Sequence, residues 1–285
     1  MTILNNLKID GSRERPIMLD VFYKATGRPK PLVIFCHGFK GFKDWGHFNL
    51  IAKTFADAGF VFCKFNFSFN GGTEEQVIDF PDLEAFGQNN ISTELNDLGV
   101  LIDAWQKPHQ FIPDTEVNRE HLTVIGHSRG GGSSILKTAE DSRVKQLITL
   151  ASISQIGKLF ENPAFLEKWK KEGVIYIPNG RTLQQMPMYY QYYEDFVLNK
   201  ERLDIQQAAA NIKVPWLIVH GDNDNVVPIQ DAKNLNELNP NSELLVIENG
   251  DHTFGGMHPW TEDELPDDAK LVLEKSILFL KGSKV

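Results

Sequence analysis

Five short, largely apolar runs recur along the chain, at residues 32–36, 60–67, 122–125, 144–150 and 214–221. Between them the apolar positions fall at helical spacing. Continuous runs of Val, Ile, Leu and Phe suit strands buried on both faces of a parallel sheet. Residues 48–58 carry Phe48, Ile51, Ala52 and Phe55 on one helical face, with Gly59 as the stop. Residues 92–106 carry Leu95, Leu98, Ile102 and Trp105 behind a capping-box start at Ser92 or Thr93, followed by Glu94 and Asn96. Helical segments are also predicted at 133–140, 229–238 and 268–280. An early strand is predicted at 17–23 and a final one at 242–247. Residues 1–15 read as a polar lead, and residues 74–90, with Asp79, Asp82 and Glu84, as a solvated loop. This alternation of strand and helix predicts an α/β fold: a mostly parallel central sheet with helices on both faces and right-handed crossovers.

The rhythm breaks at Ser152. Residues 153–211 show no clear strand pattern and hold five of the six tyrosines, together with Trp169, Met186 and Met188. The expectation is one domain over residues 1–285 with a mainly helical cap at 153–211. The cap would lie over the carboxyl ends of the strands, where open α/β sheets place their sites. Trp169, Met186, Tyr189 and Tyr190 are candidates for the pocket wall.

The chemistry concentrates where apolar runs end. Residues 122–125 lead into Gly126-His127-Ser128-Arg129-Gly130, a G-x-S-x-G turn followed by a helical segment. A serine on so sharp a turn needs neighbours without Cβ, which Gly126 and Gly130 supply. The run at 32–36 ends in His37-Gly38-Phe39, whose backbone N–H at Phe39 can meet a developing oxyanion together with that of Arg129. The run at 214–221 ends in Asp222-Asn223-Asp224, and the strand at 242–247 ends before Asp251-His252-Thr253-Phe254. Acyl transfer at a serine needs a base for the hydroxyl proton and a carboxylate to orient that base. Ser128, His252 and Asp224 each follow a predicted strand, so all three can converge on one sheet edge. Asp222 and His258 are nearby decoys for the acid and base, and His37 and His127 read as structural neighbours of the motifs.

These motifs and their order, Ser128, Asp224, His252, resemble the α/β-hydrolase superfamily, in the branch near dienelactone hydrolases, cinnamoyl and feruloyl esterases and prolyl-oligopeptidase-type catalytic domains. The resemblance spans about residues 17 to 282. It implies a serine hydrolase cleaving a carboxylic ester (a carboxylesterase, EC 3.1.1) through an acyl-enzyme, with Ser128 as nucleophile, His252 as base and Asp224 as its orienting acid. The pattern G-x-x-D-x-x-V-P, read from Gly221 to Pro228, places the acid at Asp224. One departure is residues 67–73, where many small esterases carry R-G-x-G-x-S, so a different loop wall is implied. A small aminopeptidase with an amine-binding carboxylate among Glu161, Glu167, Glu194 and Asp195, an acyltransferase, and a non-catalytic binding protein on the same scaffold are the competing readings.

Composition narrows the partners. Hydrophobic residues make up 41% and charged residues 24%, an ordinary globular balance. A net charge of −9 argues against a nucleic-acid partner. Two cysteines, Cys36 and Cys63, lie within strand-like runs and read as buried reduced thiols, not a disulfide framework. No His/Cys spacing suggests a metal, and no cofactor is implied. The first residues lack a signal-peptide core, and no apolar run approaches a membrane span. The expectation is therefore a cytoplasmic enzyme acting on a small-molecule ester or amide, with no membrane or nucleic-acid partner; nothing in the composition marks an oligomer surface.

Overall fold

A computed structural model of the chain describes residues 1–284, with the side chains of residues 158 and 159 set aside; Val285, the last residue of the expected domain, lies outside the described residues. In chain order the strands are β1 (Thr2–Asp10), β2 (Pro16–Tyr23), β3 (Lys30–Cys36), β4 (Val61–Phe65), β5 (Val117–His127), β6 (Val144–Leu150), β7 (Val174–Pro178), β8 (Gln185–Tyr189), β9 (Trp216–Gly221) and β10 (Glu243–Ile247). The helices are α1 (Phe48–Asp57), α2 (Leu83–Gly87), α3 (Ile91–Gln106), α4 (Arg129–Glu140), α5 (Pro163–Glu172), α6 (Gln191–Leu198), α7 (Ile205–Asn211), α8 (Ile229–Leu238) and α9 (Asp267–Leu280). Eight strands form one sheet in the order β1-β2-β4-β3-β5-β6-β9-β10. Only the β1–β2 and β2–β4 pairs are antiparallel; the rest run parallel.

The period-2 alternation of side chains divides each central strand between two cores. Val33 and Phe35 face α1 and α9, meeting Ile51, Phe55, Val272 and Phe279. Leu32, Ile34 and Cys36 face the other way, against Leu98, Ile102 and Trp105 of α3. Further along that second face, Leu147, Trp216 and Ile218 bury against α4, α7 and α8. Full burial of each such side chain stabilises the fold by about 1.5–3 kcal/mol, so the two-faced sheet is where this sequence places most of its apolar driving force.

Four expectations need correction. Residues 2–10 are a strand, not a polar lead: Leu4, Leu7 and Ile9 are partly buried, but a shift of register between Leu4 and Leu7, with Asn6 at φ 52°, breaks the alternation. Helix α3 is capped by Asn90, whose side chain accepts the Thr93 N–H at 2.8 Å, so Ser92 and Thr93 lie inside its first turn. Residues 83–87 form α2, capped by Asp82 through the Ala85 N–H. The segment between β6 and β9 holds an antiparallel ribbon, β7–β8, that pairs with nothing else. Cys36 and Cys63 are free and buried, and burial pushes both thiols up to about 12.

Candidate active site

Strand β5 delivers Ser128 into a backbone conformation few L-residues adopt, φ 56° and ψ −121°. The turn closes because its flanking positions have no room for a side chain. A Cβ on Gly126 would stand 2.3 Å from the Gly130 carbonyl oxygen, and one on Gly130 would stand 2.4 Å from that of His37. Strain of this kind persists only where surrounding structure over-determines it. The loop after β3 is equally close: a Cβ on Gly38 would lie 2.9 Å from Cβ of Ser128 and 3.4 Å from its Oγ. Gly38, Phe39, Ser128 and His252 line one cavity of about 120 Å3 with Lys40, Gly41, Trp45, Phe48, His127 and Thr253.

Strands β9 and β10 are parallel neighbours, so the turns after them meet. His252 Nδ1 lies 2.7 Å from Oδ2 of Asp224. The other Asp224 oxygen accepts the N–H groups of Val226 and Val227, each at 2.8 Å. His220, fully buried on β9, approaches Oδ2 at 3.3 Å and bonds the Val227 carbonyl through Nε2 at 2.8 Å. Burial alone would raise the Asp224 pKa; hydrogen bonds from His220, His252 and Val227 outweigh it and hold the carboxyl well below its usual range. The decoys are occupied elsewhere. Asp222 accepts the Asn249 N–H at 2.6 Å, and Nδ1 of His258 accepts the Gly46 N–H at 2.8 Å.

A family model described as the α/β-hydrolase fold matches residues 176–258. The chain is similar to monoacylglycerol lipase ABHD6 of Rattus norvegicus, 22% identical over 267 residues, 81% of this chain and 73% of the lipase. Among solved structures it is similar to Est1E from Butyrivibrio proteoclasticus (TM-score 0.69, 17% identity, 98% of this chain, 100% of that one) and to the α/β hydrolase GrgF from Penicillium sp. sh18 (TM-score 0.71, 16% identity, 99% of each).

This chain has the α/β-hydrolase fold.

Within this α/β-hydrolase fold, two histidines hold the site's loops. His127 is half-buried, and loss of solvent around the ring, followed by the neighbouring His252, lowers its pKa to about 3. The neutral ring donates from Nε2 to the His252 carbonyl at 2.8 Å, fixing the loop that carries His252. His37, lowered to about 4 by burial, donates from Nδ1 to the Gly38 carbonyl at 2.9 Å. The loop between β3 and α1 is further anchored by a closed square of charges. Lys43 Nζ reaches Asp20 (2.8 Å) and Asp44 (2.6 Å), and Lys64 Nζ reaches the same two carboxylates at 2.5 Å. Asp20, Lys43 and Lys64 are at most 2% exposed, so each charge there depends on its partners. The Arg129 side chain is engaged by neighbouring elements. It pairs with buried Glu94 at 2.5 Å and lies over the Phe39 ring at 4.7 Å, joining the elbow to the β3–α1 loop. Glu94 also accepts from Ser133 Oγ and Asn89 Nδ2, each at 2.9 Å.

The four aromatic and methionine pocket candidates do not line this cavity. Trp169 is fully buried, donates its Nε1–H to the Met188 carbonyl at 3.0 Å and packs on Phe165 and Tyr190. Met186 is fully buried with Phe42, Phe80 and Phe86. Tyr189 lies against Gly87 and donates its hydroxyl to Glu84, and Tyr190 packs on Trp169 and Tyr193. The reason is geometric: residues 153–211 are short elements with little core of their own, and their large rings supply it. The cavity wall comes instead from Trp45, which the sequence analysis did not single out, and Phe48, which it read only as part of the α1 stripe. The cap carboxylates Glu161, Glu167, Glu194 and Asp195 also stand outside this cavity; Asp195 accepts the Ser92 N–H at 3.2 Å. Among the described residues no group of three or more His, Cys, Asp or Glu could hold a metal ion, and no helix is long and apolar enough to cross a membrane.

Proposed function

We propose that this chain is a serine hydrolase cleaving a small carboxylic ester through Ser128, His252 and Asp224. One observation carries the reading: His252, 2.7 Å from Asp224, lines the same cavity as a serine held at φ 56° on a glycine-flanked turn. Ser128 Oγ attacks the ester carbonyl while His252 Nε2 takes its proton. Asp224, ionised throughout, keeps the proton on Nδ1 so that Nε2 is free to accept, and stabilises the imidazolium. The backbone N–H groups of Phe39 and Arg129 meet the oxyanion, each contributing about 3 kcal/mol to the transition state. The imidazolium returns its proton to the departing alcohol oxygen, the C–O bond breaks, and water repeats the cycle on the acyl-enzyme.

The cavity volume supports a small substrate, since pockets for drug-sized ligands occupy roughly 300–1000 Å3. Residues 153–211 serve as the cap in this reading, seated by Lys40 on the Pro178 carbonyl, Arg181 on Asp79 and Tyr189 on Glu84. Two buried, unpaired thiols fit a reducing compartment, so the cytoplasm is the proposed location.

The test is a panel of p-nitrophenyl esters and aminoacyl-anilides at pH 7.5. The reading expects hydrolysis of short-chain esters, and a loss of roughly 10^4–10^6-fold in Ser128→Ala. A Ser128→Ala protein of wild-type activity, or anilides cleaved faster than esters, overturns it.

A further inference from the structure

The cavity at Ser128 has a second, smaller hollow behind it, of about 20 Å3. Its own walls are Phe35, Ile51, Leu150 and Phe254, with His47. Trp45, Phe48, His127 and Thr253 line both spaces, so they form the partition between them. Three of these four are fixed. His127 is bonded to the His252 carbonyl, the Thr253 hydroxyl donates to the Gly256 carbonyl at 2.7 Å, and Phe48 is buried in α1. Trp45 is partly exposed, and its indole is held by ring contacts, with Phe48 at 5.5 Å and with His47 and His258 at 6.3 Å.

The place of this hollow decides which half of a substrate it can take. In the reading above, the departing oxygen collects its proton from His252, so the alcohol portion must lie on the His252 side of Ser128. His127 and Thr253, the partition residues on that side, open onto the hollow. We propose that the hollow is an apolar subsite for the alcohol portion of the ester, and that the Trp45 indole closes it and sets the length of alcohol accepted. His47, the one titratable group among its own walls, supports an uncharged occupant: burial lowers its pKa to about 4, so the ring is neutral near pH 7.

The proposal rests on the serine-hydrolase reading, so the experiment separates the two. Wild-type protein is first treated with a small alkyl fluorophosphonate; absence of an adduct on Ser128 overturns the hydrolase reading, and this proposal with it. Hydrolysis is then measured for acetate esters of methyl, butyl and hexyl alcohol, and for ethyl esters of acetic, butyric and hexanoic acid. In wild type, kcat/KM falls as the alcohol lengthens. In Trp45→Ala it rises with alcohol length, by about fourfold per methylene, the equivalent of ~0.8 kcal/mol for each CH2 buried, and the rank order of acyl chains stays as in wild type. Trp45→Leu, which keeps a packed side chain at that position, shows the same inversion more weakly, and reports if the alanine variant does not fold. Folded variants with the wild-type alcohol ranking, or a reordering of acyl chains in place of alcohols, overturn the proposal.

Discussion

Replacing Asp224 by Asn tests the role of the carboxylate with almost no change of shape. The outcome follows from which neighbours can only donate. The Val226 and Val227 N–H groups, both 2.8 Å from Oδ1, require an oxygen there, so the amide nitrogen must occupy the Oδ2 position. That position faces His252 Nδ1 at 2.7 Å. An NH2 group at this site forces Nδ1 to become the acceptor, and the ring proton moves to Nε2. In the proposed mechanism Nε2 is the atom that receives the Ser128 proton, so the base is disabled while the geometry survives. An Asp-to-Asn change with this consequence costs about 10^4 in kcat in a serine protease, equivalent to roughly 5 kcal/mol of barrier at 1.36 kcal/mol per decade. The assay is single-turnover hydrolysis of p-nitrophenyl acetate at pH 7.5, with Asp222→Asn beside it. Asp222 bonds the Asn249 N–H, so its variant stays within a few-fold of wild type. A loss below tenfold in folded Asp224→Asn, or an equal loss in Asp222→Asn, refutes the reasoning.

Two further expectations concern stability. His37, His47 and His127 have folded pKa values lowered to about 4, 4 and 3 by burial. The unfolded chain therefore binds more protons below its ordinary histidine value near 6.5, and stability is lost as pH falls from there toward 4, by about 2 kcal/mol per histidine at pH 5. Urea midpoints at pH 7.5 and 5.0 read this directly, and an unchanged midpoint contradicts it. Glu94→Ala leaves the Arg129 guanidinium, only 13% exposed, without its carboxylate; a destabilisation of about 3–5 kcal/mol is expected, with Glu94→Gln intermediate. A urea midpoint within 0.2 M of wild type for the alanine variant, given a slope of roughly 1–3 kcal/mol per M, would sink that prediction.

Much of the site was legible because its parts sit where strong patterns end. The apolar runs ending at Cys36, Ile125, Gly221 and Ile247 lie in sheet strands, and a parallel sheet carries their following turns to one edge. The sharp turn at Ser128 announced itself through Gly126 and Gly130, whose missing Cβ atoms the packing requires. What escaped has physical reasons too. Strand β1 was hidden by its irregularity, since one shift of register at Asn5 and Asn6 moves the later apolar positions out of phase with the earlier ones. The β7–β8 ribbon lacks the period-2 alternation of a strand, with Met186, Pro187 and Met188 buried in succession, and it lies outside the main sheet; Asn179-Gly180 between its halves was the turn signal that could have found it. Asp79, Asp82 and Glu84, read as a solvated loop, meet Arg181, Arg15 and Tyr189 across the fold, contacts that no local pattern encodes. The aromatic-rich segment misled because richness in rings marks both a binding wall and a small core, and here Trp169 and Met186 serve the core.

The central claim is that Ser128 is a nucleophile activated by His252. Intact-mass analysis after fluorophosphonate treatment, with peptide mapping of the adduct, tests it most directly. The account predicts a single adduct on Ser128 that is absent in Ser128→Ala and strongly slowed in His252→Ala. An adduct on another residue, or none on folded wild-type protein, would contradict it.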